Sequence, residues 1–288
     1  MTTAVSRLIV VIAGAMSLAV AVPALAQGKS GGKGHKSAAP SESPLPSPSA
    51  GPASGASPMA WLDDASVLPV GAMSLVVAAA HWSGSDLAET DFPIVNAAVG
   101  LAPRVQIGAI VPRVVGSADG TGPVGGIGTS YVSAKIALLT GGSGVKLAVS
   151  PMIQILGEGA VQGLPGNESR VQFGLPVSVE LSQGIARVFA STGFFSQGAW
   201  FAGGGVGVQA APRVGVAASF TRSWGGEDAS GATRDRRDLS GSVSYLVASK
   251  VAVYGSIGRT IATTDENGAG TTVSGGVAFF FVPSTTSR

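Results

Sequence analysis

The chain has 288 residues, of which only 12% are charged, against about 25% in an ordinary soluble domain. It contains no cysteine, which excludes a disulfide framework and a Cys-ligated metal site. The sequence pI of about 9.1 comes from the region before residue 59, which holds Arg7, Lys29, Lys33 and Lys36 against Glu42. Taking these from the 18 basic and 16 acidic side chains leaves 14 and 15, a balance that predicts no nucleic-acid partner.

The N-terminus has the pattern of an export signal. An apolar run follows Arg7, extends from Leu8 to about Ala26 and ends in Ala24-Leu25-Ala26, the small-x-small pattern of a signal peptidase site. Residues 1–26 are therefore predicted to be a cleaved signal peptide. A retained N-terminal anchor is the alternative.

A change of composition divides the rest of the chain. Residues 27–58 are rich in Gly, Ser, Pro and Ala and hold few large apolar side chains, which predicts a disordered periplasmic linker. We expect a pre-barrel segment at 59–70, a β-barrel at 71–282 and a C-terminal extension at 283–288.

From residue 71 onward the sequence alternates between apolar and small or polar residues, which is typical of strands with two different faces. From Val145 to Ile155, for example, the odd-numbered positions are apolar and the even-numbered positions are mainly small or polar. Pro151, and Pro176 in the next segment, predict local bulges. Twelve such segments are predicted, at 71–82, 92–101, 104–114, 126–139, 145–156, 170–181, 185–195, 199–210, 213–224, 237–247, 250–261 and 271–282.

The connections between these segments alternate between tight turns and long polar loops, with one exception at 196–198. This arrangement predicts an all-β fold, a single up-and-down antiparallel transmembrane β-barrel of about 12 strands in the outer membrane. The alternative is a soluble β-sandwich, but its wet faces would need charged residues, and here those faces carry mainly Gly, Ser, Ala and Thr.

The last predicted strand resembles the C-terminal signal that the outer-membrane assembly machinery recognises. The resemblance rests on Ser274, Gly276, Phe279 and Phe281, and the two phenylalanines are expected to face lipid at the periplasmic boundary. The extension after Phe281 departs from the pattern, because the signal usually ends the chain. The implied partners are the assembly machinery and outer-membrane lipid.

Two further sets of residues mark the expected ends of the barrel. Trp82, Trp200 and Trp224 lie at boundaries with long loops and predict an aromatic girdle, with packing against loops as the alternative. Five basic residues follow short turns and predict a ring inside the periplasmic mouth that would favour anions. They are Arg104, Lys146, Arg187, Arg213 and Lys250. The alternative is that they bond turn carbonyls, pair with Glu180 or extend to lipid headgroups.

The hairpins Leu101–Pro112 and Ala211–Val216 resemble repeats in uncharacterised outer-membrane barrels grouped with the meta-pathway phenol-degradation type. That resemblance implies a barrel that passes small compounds, aromatic ones among them. We therefore expect a narrow pore or transporter for small solutes, with the oligomeric state left open.

Two alternative functions remain at this point. A sealed structural or adhesive barrel would act through its long loops. An outer-membrane lipid hydrolase would need His81 as a base, but the sequence offers it no convincing orienting partner. No catalytic, metal or cofactor-binding constellation is predicted.

Overall fold

The computed structural model describes residues 65–84, 88–117, 126–141, 144–157, 169–196, 198–227, 233–264 and 269–283. The predicted signal peptide, the linker, residues 59–64 of the pre-barrel segment and residues 284–288 lie outside this range. Within it, no helix is both long and apolar enough to cross a membrane.

The regular structure in the described residues is a single antiparallel sheet. Its strands are β1 (Met73–Gly84), β2 (Ala88–Ala102), β3 (Val105–Ser117), β4 (Gly126–Ile127), β5 (Ser130–Thr140), β6 (Val145–Val149), β7 (Met152–Ile155), β8 (Val171–Gly174), β9 (Val177–Gln183), β10 (Ala186–Phe194), β11 (Trp200–Ala211), β12 (Val214–Glu227), β13 (Thr233–Ala248), β14 (Val251–Thr263) and β15 (Gly270–Phe281).

Six of these strands are halves of three barrel strands: β4 with β5, β6 with β7, and β8 with β9. Both β4 and β5 pair with β3, and both β6 and β7 pair with β5. On their other side β7 pairs with β8 and β6 pairs with β9. The described residues therefore form twelve strands. The sheet closes between β1 and β15, from Met73 opposite Phe281 to Gly84 opposite Gly270. The predicted barrel is confirmed, and a two-sheet sandwich is excluded.

The two internal prolines interrupt the hydrogen-bond ladder without adding a bulge, so that prediction is wrong. Val149 pairs with Val177 and Met152 pairs with Gly174, which is the same register on both sides of the prolines. The Ser150 amide still donates to the Pro176 carbonyl at 2.8 Å. Proline lacks its own N–H but keeps its carbonyl, so the strand loses a donor and keeps its path.

Alternation divides the barrel wall into two faces. The outer face exposes large apolar side chains such as Ile153, Phe173 and Ile257, whereas the inner face of the same strands holds buried small or polar residues such as Ala148 and Ser178. An apolar outer band around a closed sheet is what a membrane requires of a β-barrel.

The strands extend further at the end with the long connections, called here the loop end, than the sequence predicts. The predicted loops at 83–91 and 225–236 are largely strand, because β2 begins at Ala88, β12 continues to Glu227 and β13 begins at Thr233. Polar residues there suggest a loop by composition. Strand pairing nevertheless continues past the apolar band, where polar side chains meet no penalty. The opposite end, with the tight turns, is called the turn end.

Candidate functional site

The segment Ala65–Gly71, called here the mouth segment, lies against the inner face of the barrel at the turn end. The Ser66 hydroxyl accepts a hydrogen bond from Lys146 Nζ at 2.8 Å and donates to Glu180 Oε2 at 3.1 Å. Its carbonyl accepts from Lys135 Nζ at 3.2 Å, and the amide of Leu68 donates to an inward side chain of β3. Inward side chains of four neighbouring barrel strands therefore hold this short stretch.

Glycine at position 100 lets the mouth segment approach the wall. The Gly71 amide donates to the Gly100 carbonyl at 2.8 Å, and the Gly100 amide donates to the Ala72 carbonyl at 2.9 Å. A Cβ on Gly100 would overlap the carbonyl oxygens of Leu68 and Pro69. Because those are backbone atoms, no rotamer change could relieve the overlap.

The charges that hold the mouth segment are themselves removed from solvent. Glu180 is 3% exposed and Lys135 is 5% exposed. Glu180 Oε1 accepts from Lys146 Nζ and from the Ser182 hydroxyl, both at 2.8 Å. A buried carboxylate needs such partners, because burial of an unpaired charge costs several kcal/mol. Ser66, Lys135, Lys146 and Glu180 are called the anchor cluster below.

The structure places the five residues of the predicted basic ring in two settings. Lys146 belongs to the anchor cluster, and Arg187 lies on the inner face of β10 with its Cζ 5.3 Å from the Phe189 ring centroid. Arg104, Arg213 and Lys250 are exposed in tight turns. The pairing of Lys146 with Glu180 was the alternative left open by the sequence.

The inner face of β12, β13 and β14 has a different character. Its middle is lined by small, half-buried residues that keep contact with the interior solvent space; we call this set the hydroxyl wall. It consists of Ser219, Ser240, Ser242, Ser256 and Gly258. The hydroxyls of Ser219 and Ser240 lie 2.8 Å apart across two paired strands. Such a wall offers hydrogen-bonding groups without filling the interior.

Towards the loop end, the inner face carries a second ion pair. Arg236 Nε lies 3.0 Å from Asp238 Oδ2, and its Nη2 donates to the Thr260 hydroxyl at 2.9 Å. Thr260 in turn donates to Asp238 Oδ1 at 2.7 Å. Asp238 is as deeply buried as Glu180, whereas Arg236 is half-buried, and their ion pair does not include the mouth segment.

The predicted aromatic girdle is partly contradicted. Trp200 and Trp224 are paired neighbours on the outer face, and the rings of Trp200 and Phe194 have centroids 4.9 Å apart. Trp82 instead shares the inner face of β1 with Ala78 and Ala80 and is buried. The prediction for Trp82 is wrong. Its position along the chain indicates its height in the barrel wall, but the alternation of β1 decides whether it faces inward or outward.

In the predicted assembly signal, alternation separates the residues. Ser274 and Gly276 face inward, and the Ser274 hydroxyl lies 2.6 Å from that of Ser256. Phe279 and Phe281 lie on the outer face at the turn end, while Phe280 packs inward against the buried cluster that contains Val76. The geometry is that expected of the motif, and recognition by the assembly machinery stays a prediction.

The His81 side chain is on the outer face of β1. Its Nδ1 lies 2.9 Å from the Thr90 hydroxyl of the neighbouring strand. A threonine hydroxyl does not supply the charge that an orienting carboxylate gives to a catalytic histidine. Across the described ranges, no group of three or more His, Asp or Glu side chains could hold a metal ion.

Comparison with solved structures gives clear relatives in fold. The barrel is similar to the NanC porin, with a TM-score of 0.53 and 11% identity over 71% of this chain and 98% of that chain. It is also similar to the COG4313 outer membrane channel from Pseudomonas putida F1, with a TM-score of 0.57 and 17% identity over 76% of this chain and 98% of that chain. The chain has the fold of an outer-membrane porin.

No protein-family model and no curated protein matches the chain. The resemblance to barrels of the meta-pathway phenol-degradation type therefore stays a prediction. At these identities the two solved structures establish a shared fold.

Proposed function

We propose that this protein is an outer-membrane pore for small solutes whose turn end faces the periplasm and is narrowed by the mouth segment. The observation that carries the proposal is the hydrogen bonding of Ser66 to Lys135, Lys146 and Glu180 inside the barrel. A sealed structural barrel has no need of a separate chain segment held in its mouth. The two solved porin and channel structures of the same fold support this reading.

The path that remains lies along the hydroxyl wall. Twelve strands give an interior between that of eight-stranded barrels, which side chains fill, and that of sixteen-stranded barrels, which hold an aqueous channel. Small residues on one side and a filled wall on the other leave a narrow, polar passage. Such a passage favours small solutes that can form hydrogen bonds with serine hydroxyls.

Single-channel recording of the purified full chain in a planar bilayer tests the proposal, with Gly100→Ala as the probe variant. The Cβ of the new alanine would displace Leu68 and Pro69, so the mouth should widen and the conductance should rise. Gly108→Ala is the matched control, because that glycine also faces inward and its nearest neighbour, the Ala97 carbonyl oxygen, lies at an ordinary 3.4 Å.

A conducting parent chain, with higher conductance in Gly100→Ala and none of that rise in Gly108→Ala, supports the proposal. Silence of both the parent and Gly100→Ala overturns it and favours the sealed structural barrel. A lipid hydrolase is not favoured by the geometry of His81. Hydrolysis of phospholipid by the parent that is lost in His81→Ala would restore that function.

A further inference from the structure

The outer faces of β12, β13 and β14 each carry their first arginine at a similar distance from the turn end, and on β14 the exposed Ile261 follows that arginine. Counted from the turn end, each strand presents four or five outward residues that are apolar or small, and the next outward residue is arginine. The series are Val214, Val216, Ala218 and Phe220 before Arg222; Val247, Tyr245, Val243, Gly241 and Leu239 before Arg237; and Val251, Val253, Gly255 and Ile257 before Arg259.

The height of this change matches a membrane boundary. Eight residues of strand span about 26 Å, or about 20 Å along the membrane normal at a tilt of about 40°, close to the roughly 25 Å apolar band of transmembrane barrels. The three arginines therefore lie where the hydrocarbon region ends and the lipid headgroups of the loop-end leaflet begin. We call these three residues the arginine patch.

The guanidinium groups of the patch are close to one another and partly ordered. Arg222 and Arg237 are directly opposite residues of β12 and β13. Asp235 accepts from Arg222 Nε at 3.1 Å and from its Nη2 at 2.6 Å, and lies 3.7 Å from Arg237 Nη2. Arg222 Cζ also stacks 5.3 Å from the Trp224 ring centroid. These contacts fix the direction of two guanidinium groups.

The third arginine extends the patch to a third strand. Arg259 is exposed and lies opposite Leu239, the outward neighbour of Arg237 along β13. Cross-strand diagonal neighbours of this kind are about 7–8 Å apart between Cα atoms. Among the side chains described on this outer face, Arg222 and Arg237 share the Asp235 carboxylate and Arg259 lies beside them, which leaves an excess of two positive charges.

We propose that the arginine patch binds the phosphate groups of an anionic lipid in the outer leaflet. Guanidinium groups form bidentate hydrogen bonds with phosphate, and they do so best when the side chains are ordered beforehand. The patch begins directly where the apolar band ends and adjoins the outward rings of Trp200 and Trp224, so its partner is a lipid and not a soluble anion. This inference depends on the membrane placement of the barrel and not on passage of solutes.

A matched arginine elsewhere on the barrel provides a control. On β3 the outward residues Val105, Ile107, Ala109 and Val111 precede Arg113, which is exposed and lies opposite Ile127 of β4. Arg113 therefore has the same depth as the patch. Its paired neighbour is apolar, whereas the neighbour of Arg222 is a second arginine.

The experiment titrates lipid A, which carries phosphate groups, into the detergent-solubilised full chain and measures binding by native mass spectrometry. The triple variant Arg222→Gln, Arg237→Gln and Arg259→Gln should bind at least about tenfold more weakly than the parent, because it loses the charge-assisted hydrogen bonds to the phosphate groups. Arg113→Gln should bind like the parent. Lipid A from which the phosphates have been removed should bind the parent and the triple variant equally.

Equal binding of intact lipid A by the parent and the triple variant would overturn the proposal, as would an equal loss in Arg113→Gln. So would undiminished binding of the dephosphorylated lipid by the parent. If the triple variant does not fold, Arg259→Gln alone serves, because Asp235 is bonded to Arg222 and Arg237 and not to Arg259. Arg259→Lys should recover only part of the affinity, because lysine keeps the charge and loses the bidentate geometry.

Discussion

The two sides of the barrel interior follow the same alternation but differ in how far their inward residues are buried. On β5 to β9 the middle of the inner face includes deeply buried residues, among them Ala148 at 0%, Ser178 at 1% and Glu180 at 3% exposed. On β12 to β14 the middle of the inner face, the hydroxyl wall, stays half-buried, although Thr221, Asp238 and Thr260 on its loop-end side are buried. The difference shows that alternation decides which residues face the lumen, while the size and charge of those residues decide whether the lumen is filled.

The mouth segment is attached to the filled side. Long inward side chains can reach a segment in the interior: Lys135 and Gln106 bond its backbone, and Lys146 bonds the Ser66 hydroxyl. Serine and glycine on the other side are too short to do this. An asymmetric interior is therefore a consequence of where the sequence places its few inward charges.

The largest effects are expected when the buried carboxylate is removed from each side of the interior. Glu180→Gln and Asp238→Asn each leave one cation without its partner, and each should lower the free energy of unfolding by about 2 kcal/mol, since the cations are partly exposed. Only Glu180→Gln weakens the contacts that hold Ser66, so only that variant should raise the single-channel conductance. Urea titration and bilayer recordings measure the two effects. An equal rise of conductance in Asp238→Asn would contradict the assignment of Glu180 to the mouth.

A smaller change in conductance is expected when one residue of the hydroxyl wall is enlarged. Gly258→Leu places an isobutyl group in the lumen, where the nearest neighbour of its Cβ is Ser240 Cβ at 3.5 Å, and should lower conductance roughly twofold. Gly255→Leu is the control, because it adds the same group to the outer face of the same strand, with the Ser274 carbonyl oxygen 3.8 Å from its Cβ. If both variants conduct like the parent, the path does not follow the hydroxyl wall.

The smallest effect concerns the three exposed cations of the turn end. Combined Arg104→Gln, Arg213→Gln and Lys250→Gln should reduce anion preference in reversal-potential measurements at about 10 mM salt, and the difference should vanish at about 1 M, where the Debye length falls from about 30 Å to about 3 Å. Stability should change by less than about 0.5 kcal/mol per site. A reversal potential that matches the parent at low salt would show that these residues do not set selectivity.

Much of the fold follows from local pattern. The twelve strands, their tight turns and the faces of the segments at 145–155 and 170–181 depend on period-two alternation, which the barrel wall keeps except at register shifts such as the one between Asp91 and Ile94. The loop-end boundaries do not follow, because the residues from Glu89 to Asp91 and from Asp235 to Arg237 are polar in composition and strand in conformation. The polarity of a residue indicates its depth relative to the membrane, whereas backbone pairing decides how long the strand is. The end of the apolar stretch and the end of the strand therefore differ where a strand extends beyond the lipid.

The site follows less well, for a physical reason. Glu180 is recognisable in the sequence as a charge on an inward face, and its pairing with Lys146 can be anticipated. The role of Ser66 cannot, because its contacts are with residues 69 to 114 positions further along the chain and depend on closure of the barrel. The inward position of Trp82 could have been read from the phase of β1, where it shares parity with Ala78 and Ala80.

The seam between β1 and β15 has a consequence for the order of folding. It joins the two ends of the barrel sequence, so before β15 is in place β1 pairs only with β2 and its other edge has no partner. Such an intermediate would carry two unpaired strand edges, which lipid cannot satisfy. The pairing that completes the wall is also the one with the greatest sequence separation, the kind of contact that forms slowly. Closure of the barrel wall therefore waits for β15.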